Sequence, residues 1–251
     1  MKYIFIVVFS LLLFNCKNET KLATLAADNI IDKSIKVSGG DKIGNSEISF
    51  DFRSMTYYSK RNNGNYKYSR YIIKGNDSIY DELNNDRFTR IVNEQPVKLS
   101  DSFKTLYSAS VNSVHYFSVL PFGLNDNAVN KTLLEEEQIN HQDYYKIKVT
   151  FNQLGGGEDY EDIFVYWINK QSFKLDYLAY SYNEDDGVGM RFREAYNERF
   201  VNGLRFVDYY NYKAEDASVK LFDLGKAFSN NKLNLVSKIE LENVKVKLIN
   251  N

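Results

Sequence analysis

Apolar residues recur along this chain with two different periods, and the change from one to the other divides it. Leu22, Leu25, Ala26, Ile30, Ile31 and Ile35 fall at the spacing of one helix face, which predicts a helix over 22–37. Gly39 and Gly40 follow and stop it, because glycine takes the left-handed conformation that closes a helix. From Ile48 the period becomes two. Ile48, Phe50 and Phe52 alternate with Ser49, Asp51 and Arg53, predicting one strand from there to about Lys60. Turn residues over 62–65, 75–77 and 84–86 then separate strands at 66–74, 78–83 and 87–92. Short strands broken by such turns predict an antiparallel meander.

Pro96 interrupts the alternation, and the helical period returns after it. Ser100 is placed to cap a helix whose stripe is Phe103, Leu106, Tyr107, Val111, Val114, Phe117 and Ser118. That helix should end near Val119, ahead of Leu120-Pro121-Phe122-Gly123. Strands resume over 131–139, turn at Asn140-His141 and return over 144–151, before a loop at Gly155-Gly156-Gly157. A hairpin joins 163–168 to 173–182 through Asn169–Ser172. With a symmetric register, Phe164, Tyr166, Ile168, Phe173, Leu175 and Tyr177 share one face, which must be buried in a core or against a ligand. Val165, Trp167, Lys174 and Asp176 then make a half-polar face opposite. Asn202-Gly203 between 190–201 and 204–212 is a strong hairpin signal. It predicts Tyr196 opposite Tyr209, with Arg191, Arg193 and Arg199 on the face that carries Tyr210 and Tyr212. A polar, partly helical stretch to about Asn231 precedes a last strand over 236–248.

The N-terminus has a different character. Lys2 precedes an apolar run from Ile4 to Phe14, too short for the ~20 residues of a spanning helix and suited to a signal peptide. Cys16, the only cysteine, stands where the run stops. One thiol makes no internal disulfide. Leu13-Phe14-Asn15-Cys16 resembles the lipobox of bacterial lipoproteins, with Asn15 in place of the usual small residue. The resemblance implies a lipoprotein signal peptide over 1–16 in which Cys16 is acylated and becomes the mature N-terminus, with 17–21 as a tether and 22–251 as one domain. Anchoring through acyl chains would hold that domain at a membrane. Lys17 after the cysteine resembles outer-membrane sorting, toward the periplasm or the cell surface. Composition adds little charge to the picture: 32 basic and 33 acidic residues exclude a general nucleic-acid binder. Twenty Tyr and 17 Phe against two Pro suit a sheet with aromatic faces.

The order of leader, helix, meander, central helix and second meander resembles LolA/LolB-type lipoprotein carriers, and more closely uncharacterised bacterial lipoproteins related to them. Tyr116–Phe122, Tyr166–Asn169, Arg191–Tyr196 and Asn202-Gly203 carry the similarity. It implies an α+β fold: an open antiparallel half-barrel sheet with helices covering its concave face and an apolar cavity between them. It also implies a lipid or other apolar ligand. Phe117, Phe122, Phe164, Tyr166, Phe173, Leu175 and Tyr177 are the expected ligand contacts, and Arg191 and Arg193 the expected contacts to an anionic head group.

Catalytic chemistry has little to stand on. His115 lies beside the stripe of the central helix and His141 in a turn, outside any zinc-binding spacing. Glu135-Glu136-Glu137 on a strand alternate between faces and cannot converge. The run Glu184–Gly187 lacks the spacing of a calcium loop, and the glycine loop at 155–157 lacks the Lys-Ser/Thr of a phosphate loop. The expectation is therefore a membrane-tethered, non-enzymatic protein without metal or cofactor. It carries an apolar ligand or, alternatively, serves as a scaffold or surface module for protein or glycan.

Overall fold

Two antiparallel meanders build the molecule in a computed structural model, which describes residues 16–157, 160–184 and 187–249. The signal segment over 1–15 and the centre of the acidic run at 185–186 lie outside the described residues. The first helix, α1 (Cys16–Val37), takes in the stretch expected as a tether. Lys and Glu are good helix formers, so polar residues extend the helix without adding to its apolar face. The helix stops where glycine allows: Gly39 has φ 74, and a Cβ there would meet the Gly203 carbonyl oxygen at 2.0 Å. A single turn, α2 (Gly40–Ile43), follows.

The first sheet contains β1 (Ser46–Phe52), β2 (Met55–Asn62), β3 (Asn65–Lys74), β4 (Asp77–Asn84), β5 (Phe88–Val92) and β6 (Gln95–Pro96). The strand expected over 48–60 is thus a hairpin. Its turn rests on Arg53 at φ 56, a conformation that Gly, Asn or Asp ordinarily announces and arginine does not. The central helix α3 (Asp101–Ser118) begins as expected, with Ser100 Oγ accepting from Phe103 N at 3.4 Å.

The second sheet contains β7 (Val129–Leu133), β8 (Glu137–Ile139), β9 (Gln142–Phe151), β10 (Ile163–Asn169), β11 (Leu175–Glu184), β12 (Gly187–Val201) and β13 (Leu204–Ala214). The strand expected over 131–139 is broken between β7 and β8. Glu136 there turns out to Lys170 at 2.6 Å, whereas Glu137 turns in to Lys146 and the Trp167 indole. After α4 (Leu224–Ser229), the last predicted strand divides into β14 (Leu233–Ile239) and β15 (Glu242–Leu248). The strand order is β15-β1-β2-β3-β4-β5-β6 in one sheet and β14-β13-β12-β11-β10-β9-β7 in the other. The chain therefore leaves the edge of the second sheet and joins the edge of the first within two residues. The result is an open antiparallel half-barrel. Its outer edges, β6 and β7, pair with no further strand among the described residues.

Two bulges correct the predicted registers. Between β10 and β11, Trp167 pairs with Tyr177 and Ile168 with Leu175. Asp176 is the extra residue, and Tyr177 moves to the face of Trp167. Between β12 and β13, Asn197 at φ 50 opens a bulge that sets Ala195, not Tyr196, opposite Tyr209. A bulge inserts one residue and reverses which face every later side chain occupies.

Both faces of the second sheet are consequently buried. The inner face gathers Phe164, Tyr166, Ile168, Leu175 and Leu178 against Ala27, Ile30 and Ile31 of α1. The face expected to be half-polar is a second core instead. Val165, Trp167, Tyr177, Ala179 and Phe192 pack there beneath Leu221 and Leu224. Helix α4 approaches so closely that a Cβ on Gly225 would lie 3.0 Å from the Trp167 ring and 2.6 Å from the Glu137 carboxylate, so a larger residue would have to displace both.

Helix α3 lies on the first sheet and is held mainly by polar contacts. Asp81 is fully buried and takes both Arg70 (2.7 Å) and Arg90 (2.6 Å). Arg70 also donates to Ser110 Oγ of α3 at 2.8 Å, and Arg90 lies 3.5 Å over the Tyr107 ring. His115, fully buried, meets the Ser69 carbonyl through Nε2 at 3.1 Å among the rings of Phe50, Tyr57 and Tyr68. The stripe buried on α3 is Val111 and His115, while Phe103 and Leu106 at its start are exposed.

Burial, with Arg61 and Arg70 nearby, holds the His115 pKa down at about 3 against an ordinary 6.5. Between those values the unfolded chain binds a proton that the folded chain refuses. This contribution is therefore complete above pH 6.5 and is lost as the pH falls, by about 1.4 kcal/mol per unit. Urea unfolding of the wild type and of His115→Phe at neutral pH and near pH ~4 should show the variant losing about 3 kcal/mol less over that interval. Equal losses in the two proteins would mean that His115 is not held neutral in the fold.

Candidate functional site

Because α3 is attached to the first sheet, its other flank faces the second sheet across incompletely filled space. Three clefts border it. One, of about 530 Å³, lies between Asn112, Ser113 and Tyr116 of α3 and Phe151, Phe164 and Tyr180 of the second sheet. Another, of about 490 Å³, runs along the side of α3 toward Arg61, Tyr68 and Phe122. A third, of about 380 Å³, extends from Ser113 and Phe117 to Arg193, Val207, Tyr209 and Asn211. The first shares Asn112, Tyr116 and Phe151 with the second, and Ser113, Phe117 and Tyr180 with the third. The three are therefore neighbours around one helix. Volumes of ~300–1,000 Å³ are those of small-molecule sites.

The aromatic walls are continuous. Phe117 lies 6.1 Å from Phe164 and 5.8 Å from Tyr180, and Phe164 stacks on Tyr180 at 5.4 Å. Phe151 meets Phe164 edge-on at 5.7 Å. Such pairs hold each other's rings in place, so the wall is preformed. The Tyr116 and Tyr166 hydroxyls approach to 3.5 Å behind it. Burial pushes the Tyr116 phenol up to about 12 and Tyr166 well above the usual tyrosine range, so both stay neutral.

Charge is distributed unevenly along the trough. Glu161 and Asp162 line the first cleft, whereas Arg53 and Arg193 line the third with no carboxylate beside them. Arg193 donates from Nη2 to Tyr180 Oη at 2.8 Å and lies 4.3 Å over the Phe117 ring. Among the described residues, no cluster of three or more His, Cys, Asp or Glu is arranged to hold a metal.

The residues expected to touch a ligand separate into three groups. Phe117 and Phe164 come together in the trough, and Phe122 lines the second cleft. Tyr166 and Leu175 share their face but are fully buried, because α1 and the 120–124 turn close over them. Phe173 sits at φ 57 in the hairpin loop, stacked on Tyr145 and facing Lys33. Tyr177 belongs to the opposite core, against Phe192 and Phe228. Of the two arginines, Arg193 reaches the third cleft. Arg191 turns away to the Met190 carbonyl and the Tyr182 ring. Arg199, on the adjoining stretch of the same strand, pairs instead with Asp208 of the neighbouring strand at 3.0 Å. Cys16 opens α1. The wall residues Phe151, Tyr180 and Tyr209 were not singled out by sequence. Their alternation identified strands, but only the strand order places them opposite α3.

An open antiparallel half-barrel with an inner helix bordered by unfilled clefts defines the α+β architecture of the described residues. Within that class, the chain belongs to a family of unknown function, DUF6503, whose model matches residues 2–241. It is similar to a LolA superfamily protein from Nitrosomonas europaea at 12% identity and TM-score 0.49, covering 90% of this chain and 94% of that one. It is also similar to a DUF1329 family protein from Desulfovibrio piger at 13% identity and TM-score 0.46, covering 87% and 92%. No curated protein sequence matches the chain.

If the flank of α3 is unfilled, Ser113→Trp should fit into it. Unfolding midpoints should then show a loss within about 1 kcal/mol, whereas Val111→Trp, at a fully buried position, should cost about 3 kcal/mol or more by overpacking. Similar large losses for both would mean that the trough is already occupied by the protein's own side chains.

Proposed function

We propose that this protein is a lipid-anchored envelope protein that carries an acyl-chain ligand in the trough beside α3, without catalysing a reaction. The observation that carries this reading is the cleft of about 530 Å³ beside α3, walled by Phe117 of the helix and by Phe164 and Tyr180 of the second sheet. Burial of an alkyl chain against it would contribute about 0.8 kcal/mol per methylene. Exchange of ligand needs α3 to shift. Its polar contacts to Arg70, Arg90 and Ser69 tie it to the first sheet, so such a shift must break them or carry them along. The lipobox-like segment ending at Cys16 supports attachment to a membrane of the cell envelope, with the outer membrane as the preferred site.

Two measurements test this. Protein purified without detergent and extracted with organic solvent should release acyl-chain lipid in roughly stoichiometric amount. The absence of any lipid, together with no uptake of a fluorescent fatty acid at micromolar concentration, would remove the carrier reading. Separately, Cys16→Ala should release the protein from the salt-washed membrane fraction. Its retention there would exclude an acyl anchor.

A further inference from the structure

The third cleft carries more polarity than an alkyl chain needs, and the polarity is of one kind. It is lined by Arg193 and Arg53 and by no carboxylate. Neither arginine forms an ion pair among the described residues, whereas Arg70, Arg90, Arg199 and Arg205 each meet an Asp or Glu. Three side-chain atoms buried without a hydrogen-bond partner belong to residues of this same cleft: Arg193 Nε, Tyr209 Oη and Asn211 Oδ1. Tyr209 is 3% exposed and Asn211 9%. Arg193 and Asn211 are direct cross-strand partners, and Tyr209 is two residues along the same strand. All three therefore stand on one small patch of the inner face.

An unpartnered buried polar atom costs about 1–3 kcal/mol. Such atoms do not collect at one place in a fold unless something satisfies them. Arg193 and Tyr209 offer N–H and O–H donors. Asn211 Nδ2 meets Ser237 Oγ at 3.1 Å. The free atom of Asn211 is therefore an acceptor and takes no part in holding an anion. The missing partner of Arg193 and Tyr209 is thus an acceptor, and beside a guanidinium that meets no carboxylate among the described residues it is a negatively charged one. The patch lies at one end of the trough, and Phe117 and Tyr180 continue from it into the larger aromatic cleft. Glu161 at the far cleft disfavours an anion there and so fixes the direction of entry.

We propose that the ligand is a single-chain amphiphile with one compact anionic head, a carboxylate or a phosphate monoester. Its head is received by Arg193 with Tyr209, and its chain lies along Phe117, Tyr180 and Phe164. This rests on the reading that the trough holds an acyl chain, and it adds the charge and the orientation of that ligand.

Photolabelling of the full-length chain in its own membranes separates the two ideas. Diazirine-bearing palmitic acid, hexadecyl phosphate and hexadecanol are added in parallel, and labelled peptides of α3, β10 and β11 are quantified. In the wild type at least one anionic probe should label these peptides about tenfold more than the alcohol, the size expected of one charge-assisted hydrogen bond. Which anion prevails identifies the head. Arg193→Gln should abolish that preference while alcohol labelling persists, which also reports that the trough is intact. Arg193→Lys should keep part of the preference, and Arg191→Gln all of it. Equal labelling by acid, phosphate and alcohol in the wild type, or an anion preference that survives Arg193→Gln, overturns the head-group assignment and leaves the carrier reading standing. No labelling of these peptides by any probe overturns both.

Discussion

A single buried carboxylate decides where the central helix sits. Asp81 has no exposure to water and is met by two guanidinium groups. A buried charge of this kind must be paired on every side or it destabilises the fold by several kcal/mol. Arg70 and Arg90 are therefore not free to serve elsewhere, and each reaches α3 as well, at Ser110 and Tyr107. His115 adds its bond to the Ser69 carbonyl. Together these contacts hold α3 to the first sheet. The second sheet meets the helix through Tyr116 and Phe117 near its C-terminal end, and the clefts lie beside that contact.

The second sheet can present an unfilled aromatic face because its other face is so well packed. Trp167, Tyr177 and Phe192 form a core under α4, closed by the near contact of Gly225 with the Trp167 ring. The Trp167 indole and Lys146 share Glu137. Stability comes from that side, together with the α1 packing over Tyr166, Ile168 and Leu175. Phe164 and Tyr180 then stand at the border where α1 has ended its cover and α3 has not closed down. A wall that is rigid behind and open in front is suited to holding a flexible chain with little rearrangement.

Much of this architecture is legible as pattern. The apolar spacing of α1 and α3, the Ser100 cap, the turns after Asn62, Gly75 and Asn140 and the Asn202-Gly203 hairpin all express local preferences of the chain, and each element appears where its period places it. What pattern could not convey was register. The Arg53 turn has no glycine or asparagine to mark it, and the bulges at Asp176 and Asn197 depend on contacts from distant strands. Each moves side chains by one face, and that is why Tyr177 leaves the expected wall for the opposite core. The division of the aromatic face into a closed part and an open part was equally hidden. It depends on how far α1 reaches and on which sheet α3 is attached to, and neither is a property of the strands themselves.

The crossing between β14 and β15 has a mechanical consequence. Glu240 and Leu241 are pinned in place: Asp208 accepts the Leu241 amide at 2.9 Å, Arg199 donates to the Leu241 carbonyl, and Tyr196 bonds Glu240 at 2.7 Å. One continuous backbone thus rivets the two sheets at a common seam, beside the cleft that Ile239 and Leu241 help to line. Spreading the sheets apart would tear this seam, so the frame behaves as a fixed jaw. Any breathing of the interior falls to the helix laid across it.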